Sequence, residues 1–215
     1  MPVITSIKPQ KNQKRVNIYL DGKFSAKGGP ASGWGFGLDL ENFVKLGLKV
    51  GQNLTEEEVE KIIKKAELQK TLDKILRFAT LRPRSEKEIK DWFKRKKVHE
   101  TIHEELFDRL NRLELVDDEK FAKWWVEQRL QFRPKPKSIM YQELRIKGIK
   151  KEIIGEVLEN TDVNEEKFAK DLLEKKKYKW KGLNKLIAKR KMSEFLARKG
   201  FDWDVIRKII KSEEF

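Results

Sequence analysis

The sequence has no cysteine, so disulfide bonds and thiol chemistry are both excluded. It has no apolar run close to the roughly 20 residues that a bilayer-spanning helix needs. Its start, Met-Pro-Val-Ile-Thr-Ser, lacks the basic and apolar segments of a secretion signal. We therefore expect an intracellular, cytoplasmic protein without a membrane partner.

Apolar residues are also scarce. They make up 38% of the chain, whereas charged residues make up 40%. This apolar fraction is low for one compact globule of 215 residues. Several small helical units in a row, each with a thin core and a large surface, fit it better.

What the sequence does contain is an internal repeat. The segment Asp118–Arg129 reappears as Glu165–Lys176, and both copies contain Glu-Lys-Phe-Ala-Lys. Glu143–Ile149 likewise reappears as Phe195–Phe201. The copies are about fifty residues apart, a period typical of stacked helical units. A repeat of this kind indicates a row of similar binding surfaces rather than one active site.

A third and weaker copy lies upstream, where Arg82-Pro83 corresponds to Arg133-Pro134. In each copy, apolar residues recur every three or four positions, which places them on one buried face of a helix. Each repeat is therefore predicted to form three short helices. A glycine before the last helix, Gly148 or Gly200, suits a left-handed helix end. The matching apolar positions are Phe93, Val98, Ile102, Leu106 and Phe107 in the first copy, Leu144, Ile149, Ile153, Val157 and Leu158 in the second, and Leu196, Phe201, Val205, Ile209 and Ile210 in the third.

The first forty residues differ from the rest and predict a small antiparallel sheet. Val3–Ile7 and Arg15–Leu20 are β-rich runs, and Asp21-Gly22 is a tight-turn signal that leads toward Phe24. The segment Ala26–Gly35, between Ser25 and Phe36, is rich in glycine and predicts a mobile loop.

Beyond this loop the sequence predicts helices. Leu38–Leu46 predicts a short helix, and Thr55 followed by three glutamates predicts the capped start of a second helix that continues to Leu76. The predicted fold class is mainly α, with three tandem three-helix repeats in an elongated, curved array and a small N-terminal antiparallel β element. The expected domains are 1–65 (a β-hairpin or small sheet with short helices), 66–118 (first repeat), 119–167 (second repeat) and 168–215 (third repeat).

The net charge of +15 is distributed in register with the repeat. The first part of each repeat is basic and its last helix is acidic or nearly neutral. If successive units present equivalent surfaces, the basic parts form a track that attracts a polyanion in a salt-sensitive way. The alternative is that charged faces only keep small helices in solution. The segments are 77–97 (+6), 98–118 (−5), 129–151 (+7), 152–167 (−5), 175–200 (+10) and 201–215 (−1).

One formal motif suggests metal chemistry. His99-Glu-Thr-Ile-His103 matches the H-E-x-x-H pattern of zinc proteases, in which two imidazoles share one helix face. The chain has no other histidine, so a third ligand would have to be a carboxylate. In the repeat, His103 falls where the other copies have Ile154 and Ile206. We therefore expect a partly buried structural His103 rather than a zinc site.

No other enzyme signature stands out. The glycines do not form a G-x-x-x-x-G-K-S/T or G-x-G-x-x-G phosphate loop, and nothing suggests a nucleophile paired with a histidine. Asp117-Asp118 and Glu56-Glu57-Glu58 lead directly into helices, where carboxylates interact favourably with the helix dipole. Helix capping is therefore a better interpretation of both clusters than metal binding. We expect no enzyme activity, no metal and no cofactor.

Aromatic side chains are the remaining candidates for contact with exposed bases. Most of them occupy helix positions where a repeat core needs bulk, and for Phe93 and Trp125 we expect core packing. The segment Tyr178-Lys-Trp-Lys-Gly182 differs, because aromatics alternate with lysines and helical periodicity is weak. Base contact and simple packing are both compatible with this segment.

Several short motifs occur in a specific order along the repeats. They are Arg82-Pro-Arg-Ser-Glu86, Leu115-Val-Asp-Asp118, Phe121-Ala122, Arg129 and Glu143-Leu-Arg-Ile-Lys-Gly-Ile149. This succession resembles the RecX family, which are bacterial regulators of the RecA recombinase. The likeness runs from about Leu76 to the C-terminus, and Tyr19-Leu-Asp-Gly-Lys-Phe24 resembles an N-terminal extension found in some members.

The resemblance implies a modular, curved array of three-helix repeats that lies in the groove of the RecA–DNA filament. There it would inhibit ATP hydrolysis and strand exchange or promote filament disassembly, in the context of DNA repair, homologous recombination and the SOS response. The sequence departs from the family pattern at Ala26–Gly35, which looks inserted, and in the lysine-rich stretch of the third repeat. The implied partners are the RecA filament and single- or double-stranded DNA, and we expect a monomer.

Two alternatives stay open beside this function. One is a sequence-nonspecific DNA- or RNA-binding helical repeat protein without a recombinase partner. The other is a metallohydrolase built on the two histidines. The residues expected to bind DNA or the RecA filament are Arg82, Arg84, Lys94, Arg95, Lys96, Lys97, Arg129, Arg133, Lys135, Lys137, Lys175, Lys176, Lys177, Tyr178, Lys179, Trp180, Lys181, Lys185, Lys189, Arg190 and Lys191.

Overall fold

The structure is a computed structural model, and it describes residues 1–11, 14–21 and 34–212. The chain divides into two compact units. The first comprises Met1–Leu81 with Lys96–Leu113, and the second comprises Arg82–Arg95 with Glu114–Phe215. Within the described residues, no helix has the length and apolar character needed to span a membrane.

The first unit begins with a three-stranded antiparallel sheet. Its strands, β1 (Ile4–Pro9), β2 (Arg15–Leu20) and β3 (Trp34–Asp39), lie in the order β1-β2-β3. Alternate residues of β2 are buried, as in an antiparallel sheet with one face on a core. In the middle of the sheet, Ile18 pairs with Ile7 on one side and Phe36 on the other. The predicted antiparallel sheet is confirmed.

Two predictions about the residues around the third strand are wrong at one end. The loop expected over Ala26–Gly35 is wrong at its end, because β3 already begins at Trp34. The helix expected from Leu38 begins two residues later, at Leu40. The rest of the predicted loop and the turn at Gly22 lie outside the described residues.

Close packing explains why this strand resembles a loop in sequence. A Cβ atom on Gly35 would lie 2.9 Å from the ring of Tyr19 and 3.0 Å from the carbonyl oxygen of Ile18. A Cβ atom on Gly37 would lie 2.8 Å from the amide nitrogen of the Gln10 side chain. The two glycines therefore allow neighbouring side chains to lie across the strand.

Two helices follow the sheet, α1 (Leu40–Leu46) and α2 (Glu56–Ala79). The start of α2 is a capping box: the Glu58 backbone N–H donates to the Thr55 hydroxyl at 3.2 Å, and the Thr55 N–H donates to the Glu58 carboxylate at 2.7 Å. The predicted cap is therefore confirmed. One face of α2 packs on the sheet and completes a core that includes Ile4, Val16, Ile18, Leu20, Leu38, Val59, Ile62 and Ala66.

The rest of the described chain is helical, which confirms the mainly α fold class. The second and third repeats each contain three α-helices. The remaining α-helices are α3 (Glu86–Lys96), α4 (His103–Arg112), α5 (Asp118–Phe132), α6 (Lys137–Ile146), α7 (Lys151–Glu159), α8 (Glu165–Glu174), α9 (Lys185–Arg198) and α10 (Trp203–Ser212).

The second and third repeats each have a core of their own. Both cores are built from helix positions three or four residues apart, as the repeat predicted. Each fully buried Leu, Ile, Phe or Met contributes about 1.5–3 kcal/mol to folding. The second core includes Phe121, Val126, Met140, Leu144, Ile149 and Ile154, and the third includes Ala169, Leu173, Ala188, Met192, Leu196, Phe201 and Ile206.

A glycine turn precedes the last helix of both repeats. Gly148 and Gly200 each have a φ of +87°, so the predicted left-handed helix ends are confirmed. Each glycine also lies against a helix from an earlier part of the chain, α3 for Gly148 and α6 for Gly200. A Cβ atom on Gly148 would lie 2.7 Å from the Lys87 Cβ, and one on Gly200 would lie 2.5 Å from the Ile139 Cγ1. We call these contacts, between α3 and the α6–α7 turn and between α6 and the α9–α10 turn, the first and second joints.

The acidic pair at the start of α5, Asp117 and Asp118, caps two different helices. Asp117 accepts hydrogen bonds from the backbone N–H groups of Glu119 and Lys120, both at 2.9 Å. Asp118 accepts one from the backbone N–H of Glu86, at the start of α3, also at 2.9 Å. Burial raises the pKa of Asp118. The capping interpretation is therefore confirmed, and Asp118 also connects α5 to α3.

Candidate nucleic-acid interface

A glutamate on α3 forms ion pairs with three cations of the second unit. The side chain of Glu88 is only 11% exposed and has cations at 2.9 Å (Arg82), 3.6 Å (Arg84) and 2.9 Å (Lys147). Burial alone would raise the pKa of Glu88, but hydrogen bonds from Arg82 and Lys147 outweigh it, and the pKa is lowered. The guanidinium of Arg82 also lies 4.8 Å from the ring centroid of Trp124. Glu88 is therefore an ionised centre that holds these side chains in place.

A second glutamate, Glu143 on α6, has the same role. It accepts hydrogen bonds from Arg129 at 2.7 Å and from the indole N–H of Trp125 at 3.0 Å, and it also pairs with Lys135. Burial opposes its ionisation, yet hydrogen bonds from Lys135, Arg129 and Trp125 lower its pKa. Both carboxylates are therefore charged at neutral pH.

The ring of Trp125 joins the two clusters. The guanidinium of Arg129 lies 4.4 Å from its centroid and the ammonium of Lys147 lies 5.1 Å from it. The ring of Trp125 also contacts the buried ring of Phe121, with centroids 5.8 Å apart, and the ring of Trp124, with centroids 6.2 Å apart. The expected packing of Trp125 on the core is confirmed, and its indole N–H is satisfied by Glu143.

Four of the predicted contact residues, Arg82, Arg84, Arg129 and Lys135, are thus brought together. They are held by carboxylates that the sequence analysis did not assign. The role of Glu143 could have been suspected from the sequence, because it is the one acidic residue in the basic stretch 129–151. In the described part of the chain, the two clusters contain more cations than carboxylates and keep a positive excess.

The end of α3 carries exposed cations of a different kind. Lys94, Arg95, Lys96 and Lys97 are all exposed, and none forms an ion pair with a described carboxylate. Lys97 lies just beyond the helix with a φ of +51°. Cations at a helix C-terminus interact favourably with the helix dipole, so part of this charge stabilises α3 itself.

The start of α6 carries two further predicted contact residues. Arg133 is exposed in the α5–α6 connection, whereas the side chain of Lys137 is partly buried. The backbone N–H of Lys137 donates to the Glu165 carboxylate at 2.6 Å, which caps α6 from the start of α8. Of the two, only Arg133 presents its charge fully to solvent.

The third repeat has the densest group of cations, along the α8–α9 connection and α9. Lys177 pairs with Glu174 at 3.0 Å and Arg190 with Glu194 at 3.0 Å, both in exposed positions where such pairs stabilise little. The other cations form no ion pair with a described carboxylate. The exposed members of this group are Lys175, Lys179, Lys181, Lys185 and Lys191, and the half-buried ones are Lys176 and Lys189.

The two aromatic residues of this connection have opposite environments. Trp180 is only 7% exposed and makes an edge contact with Phe195, with centroids 5.6 Å apart. Tyr178 is 66% exposed, and the Lys176 ammonium lies 5.9 Å from its ring centroid. For Trp180 the structure favours packing over base contact, whereas Tyr178 stays available as a contact residue.

The two histidines have local structural partners. The His103 ring is partly buried, and its Nε2 lies 3.0 Å from the Val98 carbonyl oxygen. The His99 Nδ1 lies 2.9 Å from the Thr101 hydroxyl. The expectation of a partly buried structural His103 is confirmed. Among the described residues, no cluster of three His, Cys, Asp or Glu side chains could hold a metal ion.

The acidic last helix of the second repeat borders an open cleft of about 400 Å³. Helices α5 and α7 form its walls. Its lining has four carboxylates and one lysine, so it favours cationic groups. The lining residues are Glu119, Lys123, Glu127, Glu156, Val157, Asn160, Thr161 and Asp162.

Comparison with known proteins identifies the family. Residues 2–55 match the regulatory protein RecX N-terminal domain, 117–158 match the second three-helix domain of RecX, and 166–210 match the third. A regulatory protein RecX from Bacillus licheniformis is 32% identical, over 100% of this chain and 79% of the relative. The chain belongs to the RecX family. The resemblance inferred from Arg82–Ile149 is therefore confirmed, and the family consists of regulatory proteins.

Solved RecX structures share the fold. A crystal structure of regulatory protein RecX superposes with a TM-score of 0.72 at 26% identity, and covers 99% of this chain and 100% of that one. A RecX structure from Lactobacillus salivarius gives a TM-score of 0.60 at 25% identity, over 67% of this chain and 95% of the other. The second and third RecX three-helix domains correspond to α5–α7 and α8–α10. The domain limits expected at residues 65, 118 and 167 stay a prediction.

Proposed function

We propose that this RecX-family protein regulates the RecA recombinase by binding RecA–DNA filaments in their groove. There it contacts DNA and modulates ATP hydrolysis and strand exchange. The observation that carries this proposal is the family membership, because a RecX relative matches the whole length of the chain. In this proposal regulation occurs by binding, so the protein needs neither a catalytic residue nor a cofactor and acts as a monomer in the cytoplasm.

Exposed cations support the DNA contact. The end of α3 and the α8–α9 region carry lysines and arginines that no described carboxylate neutralises, so they can bind phosphates and release counterions. The Glu88 and Glu143 clusters contribute less, because their cations are already paired. We therefore assign the main DNA contacts to Lys94–Lys97 and to Lys175–Lys191, with Arg133 between them in sequence.

The acidic surfaces support a separate contact with protein. The cleft between α5 and α7 repels phosphate but attracts lysine and arginine side chains. We propose that the acidic last helices of the repeats face basic patches on the recombinase, while the basic first parts face DNA. A string of small units can follow a helical groove, which suits this arrangement.

A titration of RecA's DNA-dependent ATPase tests the proposed function. Increasing amounts of the protein are added to RecA filaments on a fixed amount of DNA, and ATP hydrolysis is measured. We expect inhibition at amounts well below those needed to coat the DNA. Inhibition that appears only when the protein saturates the DNA would instead support a nonspecific DNA- or RNA-binding protein without a recombinase partner. The exposed lysines of the third repeat are the feature that favours this alternative.

A further inference from the structure

The most basic segment of the third repeat also exposes large apolar side chains. Leu186 is 81% exposed, Tyr178 is 66% exposed and Ile187 is 50% exposed. All three lie within residues 178–187, at the α8–α9 connection and the first turn of α9. Lys176, Lys179 and Lys185 flank them, and none of these pairs with a described carboxylate. We call these six residues the apolar–basic patch.

The chain around the patch is anchored. Trp180 is buried against Phe195 and fixes the middle of the connection to the core of the repeat. Turn hydrogen bonds then constrain the backbone on either side: the Lys179 N–H donates to the Lys176 carbonyl at 2.9 Å, and the Leu183 N–H donates to the Trp180 carbonyl at 3.2 Å. The exposed side chains are therefore displayed from an ordered segment, which lowers the entropy lost on binding.

The composition of the patch restricts its occupant. Residues 175–200 contain eleven lysines and arginines and one acidic residue, so the occupant carries many negative charges. It must also present apolar faces, because contact with them is what removes Tyr178, Leu186 and Ile187 from water. Single-stranded nucleic acid has both features in every unit, a phosphate and an unstacked planar base. A duplex offers phosphates but keeps its base faces inside the stack.

We propose that the apolar–basic patch is a binding site for single-stranded DNA. Tyr178 stacks on an unpaired base, Leu186 and Ile187 cover a neighbouring base, and the lysines bind the flanking phosphates. This site rests on the DNA contact proposed above and adds to it a preference for unpaired strands.

Fluorescence anisotropy with the full-length protein tests this site. One labelled oligonucleotide is used alone and annealed to its complement, at the same salt concentration. The patch variant combines Tyr178→Ala with Leu186→Ser and Ile187→Ser, all at exposed positions. A matched control, Val44→Ser with Val50→Ser, removes two aliphatic side chains that are 72% and 61% exposed in the first unit. A second control, Tyr178→Phe, keeps the aromatic ring.

We expect the patch variant to lose roughly tenfold in affinity for the single strand, since stacking on one aromatic residue contributes about 5-fold to 150-fold. Its affinity for the duplex should change less than about twofold, because the lysines are retained. Both controls should bind the single strand like the unmodified protein. An equal loss for single strand and duplex, or no loss for either, would overturn the single-strand site.

The RecA ATPase titration, repeated with the same variants, separates this inference from the proposed function. If the patch variant binds the single strand normally but no longer inhibits RecA, the patch contacts the recombinase and the single-strand site is wrong. If unmodified protein fails to inhibit RecA while the patch variant still loses single-strand binding, the proposed function fails and the site stands.

Discussion

Replacing Gly200 with alanine should destabilise the third repeat more than the same replacement at Gly182. Both glycines have left-handed backbones, with φ of +87° and +83°. A Cβ atom at position 200 would lie 2.5 Å from Cγ1 and 2.6 Å from Cδ1 of Ile139, whereas nothing lies within 4 Å of one at position 182. The two substitutions therefore share the backbone strain and differ in the steric cost at the second joint.

The magnitudes follow from these two contributions. The left-handed conformation costs a residue with a Cβ about 1–2 kcal/mol, at either position. Forcing a methyl group into the second joint adds about 1–3 kcal/mol, because Ile139 and the neighbouring backbone must move. The hydrogen bond from the Ser138 hydroxyl to the Gly200 carbonyl would also be disturbed. We expect about 1–2 kcal/mol of destabilisation for Gly182→Ala and about 2–5 kcal/mol for Gly200→Ala.

Urea denaturation followed by far-UV circular dichroism measures the difference in unfolding free energy, and native-state hydrogen exchange in α9 and α10 locates it. A lower midpoint with an unchanged dependence on urea indicates lost stability of the same folded state. Equal destabilisation by the two substitutions would refute the close contact between α6 and the α9–α10 turn. A selective effect of Gly200→Ala would support it.

Three further predictions concern other features of the chain. Glu88→Gln should destabilise the protein by about 1–3 kcal/mol at neutral pH, since it uncouples a half-buried ion-pair cluster. Because the pKa of Glu88 is lowered by folding, its stabilisation is present above the ordinary value of 4.5 and is lost as the pH falls below it. The variant should therefore lose less stability than the unmodified protein in urea titrations carried from neutral pH to well below pH 4.5, and an identical acid profile would contradict this role. Gly155→Ala should stabilise α7 by about 0.5–1 kcal/mol, because a Cβ there meets nothing within 4 Å, and thermal unfolding that shows no gain would contradict it. Reversing the charge at Lys176, Lys177 and Lys179 should weaken DNA binding and flatten its salt dependence, by about 0.7–0.9 in slope for each lost phosphate contact, whereas an unchanged slope would exclude these lysines from the DNA contact.

Features with a local structural signal could be predicted from the sequence. The caps at Thr55 and Asp117 and the turns at Gly148 and Gly200 each depend on a few neighbouring residues, so they are readable from the chain alone. The helices of the repeats are also readable, because buried positions recur with the helical period over about fifty residues.

The sequence was least informative where one residue type has two possible roles. Gly35 was predicted to lie in a loop, but it lies in β3. There the ring of Tyr19 lies across the strand and leaves no room for a Cβ atom at position 35. The aromatic pair in the third repeat is similar, since Tyr178 and Trp180 are two positions apart in a segment of short turns. Only the contact with Phe195 shows that the tryptophan is the buried one.

The sequence by itself therefore determined the repeat, the helices and the positive charge, and it contained the motifs of the RecX family. Tertiary structure decided which cations remain available to a ligand. Arg82 and Arg129 look like any other basic residues in sequence, yet Glu88 and Glu143 neutralise them, and Lys147 reaches Glu88 from 59 positions away. The physical reason is that helix formation depends on neighbours in the chain, whereas the charge that a side chain presents depends on its neighbours in space.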